Sequence, residues 1–178
     1  MTKEELTETQ QNIHQAFITL WETTSADKIR VKEICERTPI ARSTFYTYYD
    51  SIEELKIDIE ERTIQNLVDI NRKLFRRPIQ QVSDILFVET TLAYVVAHHH
   101  IFHAFLVAQP NLAFTELWKT AIKEQFSLLF RDNGMRKDDF LLEIFAASVI
   151  AAISYQLKKP EMSLNSRDIS QLIFKILS

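Results

Sequence analysis

The chain has 178 residues, 46% hydrophobic, 11% aromatic and 25% charged, with a net charge of −3. That balance supplies a buried core and excludes a disordered chain, while the length allows one ordinary domain or two small ones. A single cysteine, Cys35, excludes an internal disulfide; one glycine and four prolines leave few turn signals, so an all-α fold is predicted.

Helical periodicity predicts about nine segments. The first covers residues 5 to 24, where Ile13, Ala16, Phe17, Leu20 and Trp21 form an i, i+3, i+4, i+7, i+8 stripe. ETTSADKI breaks it. A short second helix carries Val31, Ile34 and Cys35 and stops at Thr38-Pro39, because the residue before proline avoids the α region. Cys35, flanked by Ile34 and Glu36, suits a small core filler. The segment ARSTFYTYYDS, residues 41 to 51, follows within three residues, so two short helices joined this tightly are expected to cross as a helix-turn-helix unit. At 100° per residue Phe45, Tyr48 and Tyr49 share one face, while Arg42, Ser43, Tyr46 and Thr47 share the opposite one. The first face looks packed. The second offers a guanidinium and hydroxyls that can meet base edges and phosphate oxygens.

Asp50 or Ser51 should cap the next helix, which has Glu53 and Glu54 in its first turn and runs to about Phe75, before Arg76-Arg77-Pro78. Further helices are predicted near 79 to 97, 100 to 108, 112 to 131, 138 to 157 and 166 to 177, with Asn111, Asp138 and Ser166 as caps. No apolar stretch is read as reaching the roughly 20 residues of a bilayer span, since VVAHHHIFHAFLVA is interrupted by histidines. The acidic N-terminus lacks a signal-peptide pattern, so no membrane and a cytoplasmic location are expected.

IRVKEICERTPIARSTFYTYYDSIEEL resembles the tetracycline-repressor (TetR) family of bacterial transcriptional regulators, in which a helix-turn-helix ends in an aromatic-rich recognition helix followed by a serine turn and EEL. The likeness spans about residues 9 to 56 and is looser from HHHIFHAFL onward. It implies a helix-turn-helix DNA-binding domain over residues 1–52 and a ligand-sensing and dimerisation domain over 53–178. By analogy Phe45 and Tyr49 pack the recognition helix, Arg42, Ser43 and Tyr46 lie nearest base edges, and Thr44, Thr47 and Tyr48 lie nearest phosphates. Lys32 would reach either. This chain departs from the pattern at Pro39, where the family usually has glycine, at Ala41, where a serine or threonine often caps, and at Ile52, where a lysine often meets a phosphate.

Charge bears on that implication. Residues 1 to 60 hold seven Lys and Arg against twelve Asp and Glu, a net of −5, whereas a DNA-binding domain is usually basic. Between residues 28 and 42 five basic residues face two acidic ones, a local +3. Modest affinity with few phosphate contacts is therefore expected. The alternative is a dimeric ligand- or partner-binding module that reads no DNA.

His99 and His103 at i, i+4 could present two imidazoles, but no acidic or cysteine ligand stands beside them in sequence, so no metal and no cofactor are expected from His98 to His103. Enzyme readings fare worse. There is no nucleophile elbow or glycine-rich phosphate loop, and Gly134 fits a turn.

FLLEIFAASVIAAISYQL, residues 140 to 157, is apolar nearly all round and must be buried on more than one side. With ISQLIFKIL at 169 to 177 it could form a two-fold four-helix interface through Ala147, Ile150, Ala151, Ser154, Leu172, Ile173 and Ile176; both helices could also simply fill the core. A homodimer suits a palindromic double-stranded DNA operator with half-sites about 34 Å apart. Phe102, Phe105, Leu106, Phe114, Trp118 and Tyr155 are the candidates to line a pocket for a small hydrophobic effector, and the same residues equally suit core. The resemblance implies a repressor released by that effector.

Overall fold

The chain is seen in a computed structural model that describes residues 5–75, 84–132 and 139–159. Among them are eight helices and no strand. The predicted ninth helix at 166 to 177, the caps Asp138 and Ser166 and the Arg76-Arg77-Pro78 punctuation lie outside the described residues.

Helix α1 (Glu8–Thr23) opens with a reciprocal cap: Thr7 Oγ1 accepts from the Gln10 N–H at 3.2 Å, and Gln10 Oε1 accepts from the Thr7 N–H at 3.1 Å. Its predicted stripe is buried throughout. Helix α2 (Val31–Arg37) starts where Glu33 accepts the Arg30 N–H at 2.9 Å. It ends at Thr38, whose hydroxyl donates to the Ile34 carbonyl at 2.8 Å and whose φ of −114° needs no glycine. Pro39 in that turn is thereby accommodated. Four residues later comes α3 (Arg42–Tyr48), then α4 (Ile52–Phe75). Ser51 is the cap of α4: its Oγ accepts from the Glu54 N–H at 3.0 Å, while Glu54 reaches back to the Asp50 N–H at 2.6 Å. Ile52 is half-buried against the core in place of the lysine of the family pattern.

At 24 residues, α4 is about 36 Å long and acts as the spine, packed on α1, α5 (Asp84–Ala97) and α7 (Leu112–Asp132). Helix α6 (His99–Ala108), whose last five residues wind as a π turn, is bent 88° from α5 at His98. It lies against both α1 and α8 (Asp139–Lys158). Asn111 caps α7, its Oδ1 accepting from the Phe114 N–H at 3.3 Å. Lys119 and Lys123 of α7 grip Glu143 of α8 at 2.7 and 2.8 Å.

One sequence expectation is corrected here. Helix α8 has 20 residues and is by itself long and apolar enough to cross a bilayer, its apolar run tolerating the single charge of Glu143. One side of α8, with Leu142, Phe145, Ala146, Val149, Ile150 and Ile153, is packed into the bundle.

Phe45 is 0% exposed, its ring against Tyr46 and Tyr49, so Phe45→Ala should destabilise the N-terminal helices by about 3 to 5 kcal/mol through lost burial and a cavity. Denaturant unfolding checks this.

Glu60 on α4 is only 4% exposed; burial pushes its carboxyl above the usual range, partly offset by the hydrogen bond from Asn111 Nδ2. The folded chain then holds this proton more tightly than the unfolded one. Stability should fall as pH rises from the unfolded carboxylate pKa, about 4.3, through the higher folded value. Glu60→Gln should be more stable than the parent at pH 7, and the difference should vanish below about pH 4. Thermal melts across pH read both.

Candidate nucleic-acid interface

Helix α3 has only seven residues and no side-chain cap at Ala41, so its own hydrogen bonds cannot hold it in water. Packing does. Phe45 and Tyr49 are buried, with ring centroids 5.9 Å apart. The Tyr49 hydroxyl joins α3 to both neighbouring helices: it lies 2.8 Å from His14 Nε2 on α1 and donates to Asp58 Oδ2 on α4 at 3.2 Å. Asp58 is held in turn by Arg62 Nε at 2.8 Å and lies 3.3 Å from His14 Nε2. Burial and the Asp58 charge push the Tyr49 phenol up, so it remains a neutral donor.

With that side buried, Arg42, Ser43, Tyr46 and Thr47 stand exposed, Tyr46 at 53%, its ring edge-on to Phe45 at 5.5 Å. Thr44 and Tyr48 are half-buried, and Tyr48 packs on the core. Thr47 Oγ1 donates to the Ser43 carbonyl at 3.1 Å. Lys32 is exposed on α2, its ammonium 3.6 Å from Glu36. Arg30 folds back onto the carbonyls of Asp27 and Ile29. Cys35 is buried, and burial pushes its thiol up against the opposing charge of Arg42, which suits a core filler and not a nucleophile. A planar guanidinium, a phenol and two hydroxyls on one exposed helix face can make hydrogen bonds to base edges and backbone oxygens.

A second constellation, unread in the sequence, joins these helices to the rest. The Gln109 amide donates to the carbonyls of Trp21 and of Thr24, the latter at 2.8 Å, and its Oε1 accepts from the Ala26 N–H at 3.0 Å. The Gln109 carbonyl accepts from the Trp21 indole at 3.2 Å, and the Trp21 ring meets Phe105 edge-on at 5.2 Å. Glu22 and His103 add a contact at 2.8 Å. The only sequence signal was a polar residue before Pro110 at the end of an apolar helix.

The other histidines are also engaged. His99 stacks on His103 at 5.4 Å, and His98 stacks on Tyr94 at 4.0 Å while its Nδ1 lies 2.9 Å from the Tyr94 carbonyl. Burial and the neighbouring histidines hold His100 below its usual range. Among the described residues no group of three or more His, Cys, Asp or Glu is placed to hold a metal.

Of the pocket candidates, Phe102, Phe105, Leu106, Phe114 and Trp118 are buried in one ring cluster, with Phe102 and Trp118 centroids 5.1 Å apart, and Tyr155 is exposed. Trp118 alone of the six lines a small hollow between α4, α5, α7 and α8, together with Asn71, Phe87 and Thr91. Asn71 sits on the apolar stripe of α4 after Ile64 and Leu67, a polar residue in a core register that the sequence reading passed over. Of the proposed dimer residues, Ala147 and Ala151 are exposed, Ser154 is half-buried, and Ile150 is already 6% exposed within the single chain. Leu172, Ile173 and Ile176 lie outside the described residues.

No protein-family model matches this chain, and no curated protein matches it. Solved structures do. A TetR transcriptional regulator from Streptococcus agalactiae superposes with a TM-score of 0.71 at 19% identity, covering 96% of this chain and 94% of the other. The fatty acid degradation regulator FadR from Bacillus halodurans gives 0.70 at 14% identity, covering 97% and 94%. The dihydroxyacetone kinase operon activator DhaS gives 0.61 at 20% identity, covering 95% and 92%. Over nearly its whole length, this chain therefore has the all-helical fold of the TetR-family transcriptional regulators.

Proposed function

We propose that this chain is a TetR-family transcriptional regulator that reads double-stranded DNA through α3. The observation that carries the reading is the division of α3: Phe45 and Tyr49 are buried, with Tyr49 bonded to α1 and α4, while Arg42, Ser43, Tyr46 and Thr47 are left exposed. Residues 1–52 form the reading unit and residues 53–178 the sensing and dimerising unit, a cytoplasmic protein rather than an enzyme. In the groove Arg42, Ser43 and Tyr46 meet base edges; Thr44, Thr47 and Tyr48 meet phosphates, and Lys32 exchanges Glu36 for one.

A two-fold dimer sets two copies of α3 on the half-sites of a palindromic operator. Support comes from the outer side of α8, where Phe140, Ile144, Ala147, Ala151 and Tyr155 recur at helical spacing and are exposed. The protein acts as a repressor released by a small hydrophobic effector bound between α4, α5, α7 and α8. The hollow there shares Trp118 with the ring cluster, and that cluster reaches Trp21 through Phe105. Through the Gln109 clasp, a shift of α6 moves α1 and the helices it carries, a coupling of about 1 to 3 kcal/mol.

The net −5 of the first 60 residues favours the second reading, a dimeric ligand- or partner-binding module that ignores DNA. Titration against random duplexes with selection, at two salt concentrations, separates the two: a regulator yields a selected sequence and a shallow salt slope, the module yields neither.

On a selected duplex, Arg42→Ala should lose about 1 to 3 kcal/mol of discrimination at one base pair with an unchanged melting curve. Tyr46→Phe should weaken binding at unchanged stability, since only an exposed hydroxyl goes. If both variants bind as the parent does, α3 is not the reading helix.

A charge at an exposed position of α8, Ala147→Glu, should give monomers in light scattering while the helical circular dichroism persists. A variant that stays dimeric moves the interface elsewhere.

A further inference from the structure

Tyr49 closes α3, its N–H donating to the Phe45 carbonyl at 3.0 Å, and its hydroxyl stands in a triangle of three polar atoms. His14 Nε2 on α1 lies 2.8 Å from the Tyr49 oxygen, Asp58 Oδ2 on α4 lies 3.2 Å from it, and those two lie 3.3 Å from each other. The His14 and Asp58 side chains are only 13% and 16% exposed, so water has little access to relieve a badly matched contact. Two corners have fixed roles. Asp58, gripped by Arg62 Nε at 2.9 and 2.8 Å from its two oxygens, only accepts. Burial, and then the Asp58 charge, keep the phenol protonated, so the hydroxyl brings one proton. The role of Nε2 follows by elimination. If Nε2 carried a lone pair, the phenol proton given to it would leave the oxygen facing the carboxylate at 3.2 Å; given to Asp58, it would leave two lone pairs facing at 2.8 Å. With a proton on Nε2 no two acceptors face each other: Nε2–H meets the phenol oxygen, and the phenol O–H meets Oδ2.

We propose that His14 is a positioning residue for the reading helix: its Nε2–H donates to the Tyr49 oxygen, turns the phenol proton onto Asp58, and so ties the end of α3 to α1 and α4 at once. The consequence for DNA rests on the reading of α3 as the helix that enters the groove; the geometry does not. Helix α3 needs the tie because, beyond its packing on α2, seven residues without an N-cap do not hold themselves in water. The Tyr49 ring rests on Phe45 and His14 as a phenylalanine would, and the hydroxyl is what reaches α4. What the site asks of residue 14 is therefore a donor at the place of Nε2, which a side chain of like bulk without one does not supply. A head in which α3 is correctly posed only part of the time binds DNA with its affinity reduced by that fraction.

The test uses the full chain, first without DNA. The parent, His14→Gln, His14→Leu, Tyr49→Phe and the double variant of the last two are compared by hydrogen exchange of backbone amides and by nitrogen-15 NMR of the imidazole. Glutamine keeps an N–H near the place of Nε2, and leucine keeps only bulk. The parent should show a slowly exchanging His14 Nε2–H that is lost in Tyr49→Phe. The α3 amides should exchange roughly fivefold faster in His14→Leu and in Tyr49→Phe, the scale of one lost hydrogen bond, while His14→Gln stays near the parent. The double variant should exchange no faster than Tyr49→Phe, since the bond that His14→Leu removes is already gone. On a selected duplex, affinity should follow the same order. A chain that selects no duplex defeats the reading of α3 and not the role of His14, which exchange decides by itself. If His14→Leu does not fold, the imidazole signal and its loss in Tyr49→Phe decide. Unchanged α3 exchange in His14→Leu, no rescue by His14→Gln, effects that multiply in the double variant, or acceleration spread equally over α1 to α4 would overturn the proposal.

Discussion

The docking of Tyr49 is the constraint on which the presentation of α3 depends. A helix of seven residues with no N-cap has too few internal hydrogen bonds to persist in water. It packs on α2, and one aromatic side chain ties it to two further helices: the Tyr49 ring packs on Phe45 and His14, and the hydroxyl joins His14 to Asp58. Since Asp58 is also gripped by Arg62, the carboxylate is neutralised where it is partly buried. Everything exposed on α3 owes its direction to this buried side.

The same economy governs the link between the two ends of the fold. A glutamine side chain offers a donor pair and an acceptor in one plane, and Gln109 uses both on main-chain groups at the end of α1 and in the turn that follows it. Main-chain partners at the end of α1 cannot swing away as side chains do, so the clasp transmits displacement. The π turn that precedes Gln109 widens the helix by one residue, and such turns recur at functional sites. Around it the rings of Phe102, Phe105, Phe114 and Trp118 pack closely, and among the described residues a hollow of about 10 Å³ lies beside Trp118 at Asn71.

The charge distribution bears on how such a protein would find DNA. With acidic residues concentrated before Glu8 and after Asp50, long-range attraction to a polyanion is weak, so on the proposed reading specificity would come from contact geometry on α3. The structural neighbours include an operon activator as well as a fatty acid degradation regulator, at identities of 20% and 14%. At that distance the shared part is the scaffold, and what each site does rests on its own side chains.

Much of this was legible in the residues. Helix spans, the Asn111 cap and the two faces of ARSTFYTYYDS follow from local periodicity, because burial on one side imposes a 3.6-residue rhythm that a single chain displays. The resemblance of residues 9 to 56 to a helix-turn-helix supplied the scaffold for the same reason: the motif is contiguous. What only the tertiary structure decided were the contacts between residues far apart in sequence. His14 meets Tyr49 and Asp58, Gln109 meets Trp21 and Ala26, and Glu60 meets Asn111. An aromatic stripe reads alike whether it fills a core or lines a pocket, so Phe102, Phe105 and Phe114 could be sorted only by seeing which of them face empty space. Asn71 shows the limit most directly. Its register on α4 marked it as buried, but that one end of its amide goes unpaired is a fact about α5, α7 and α8, which no local pattern of sequence carries.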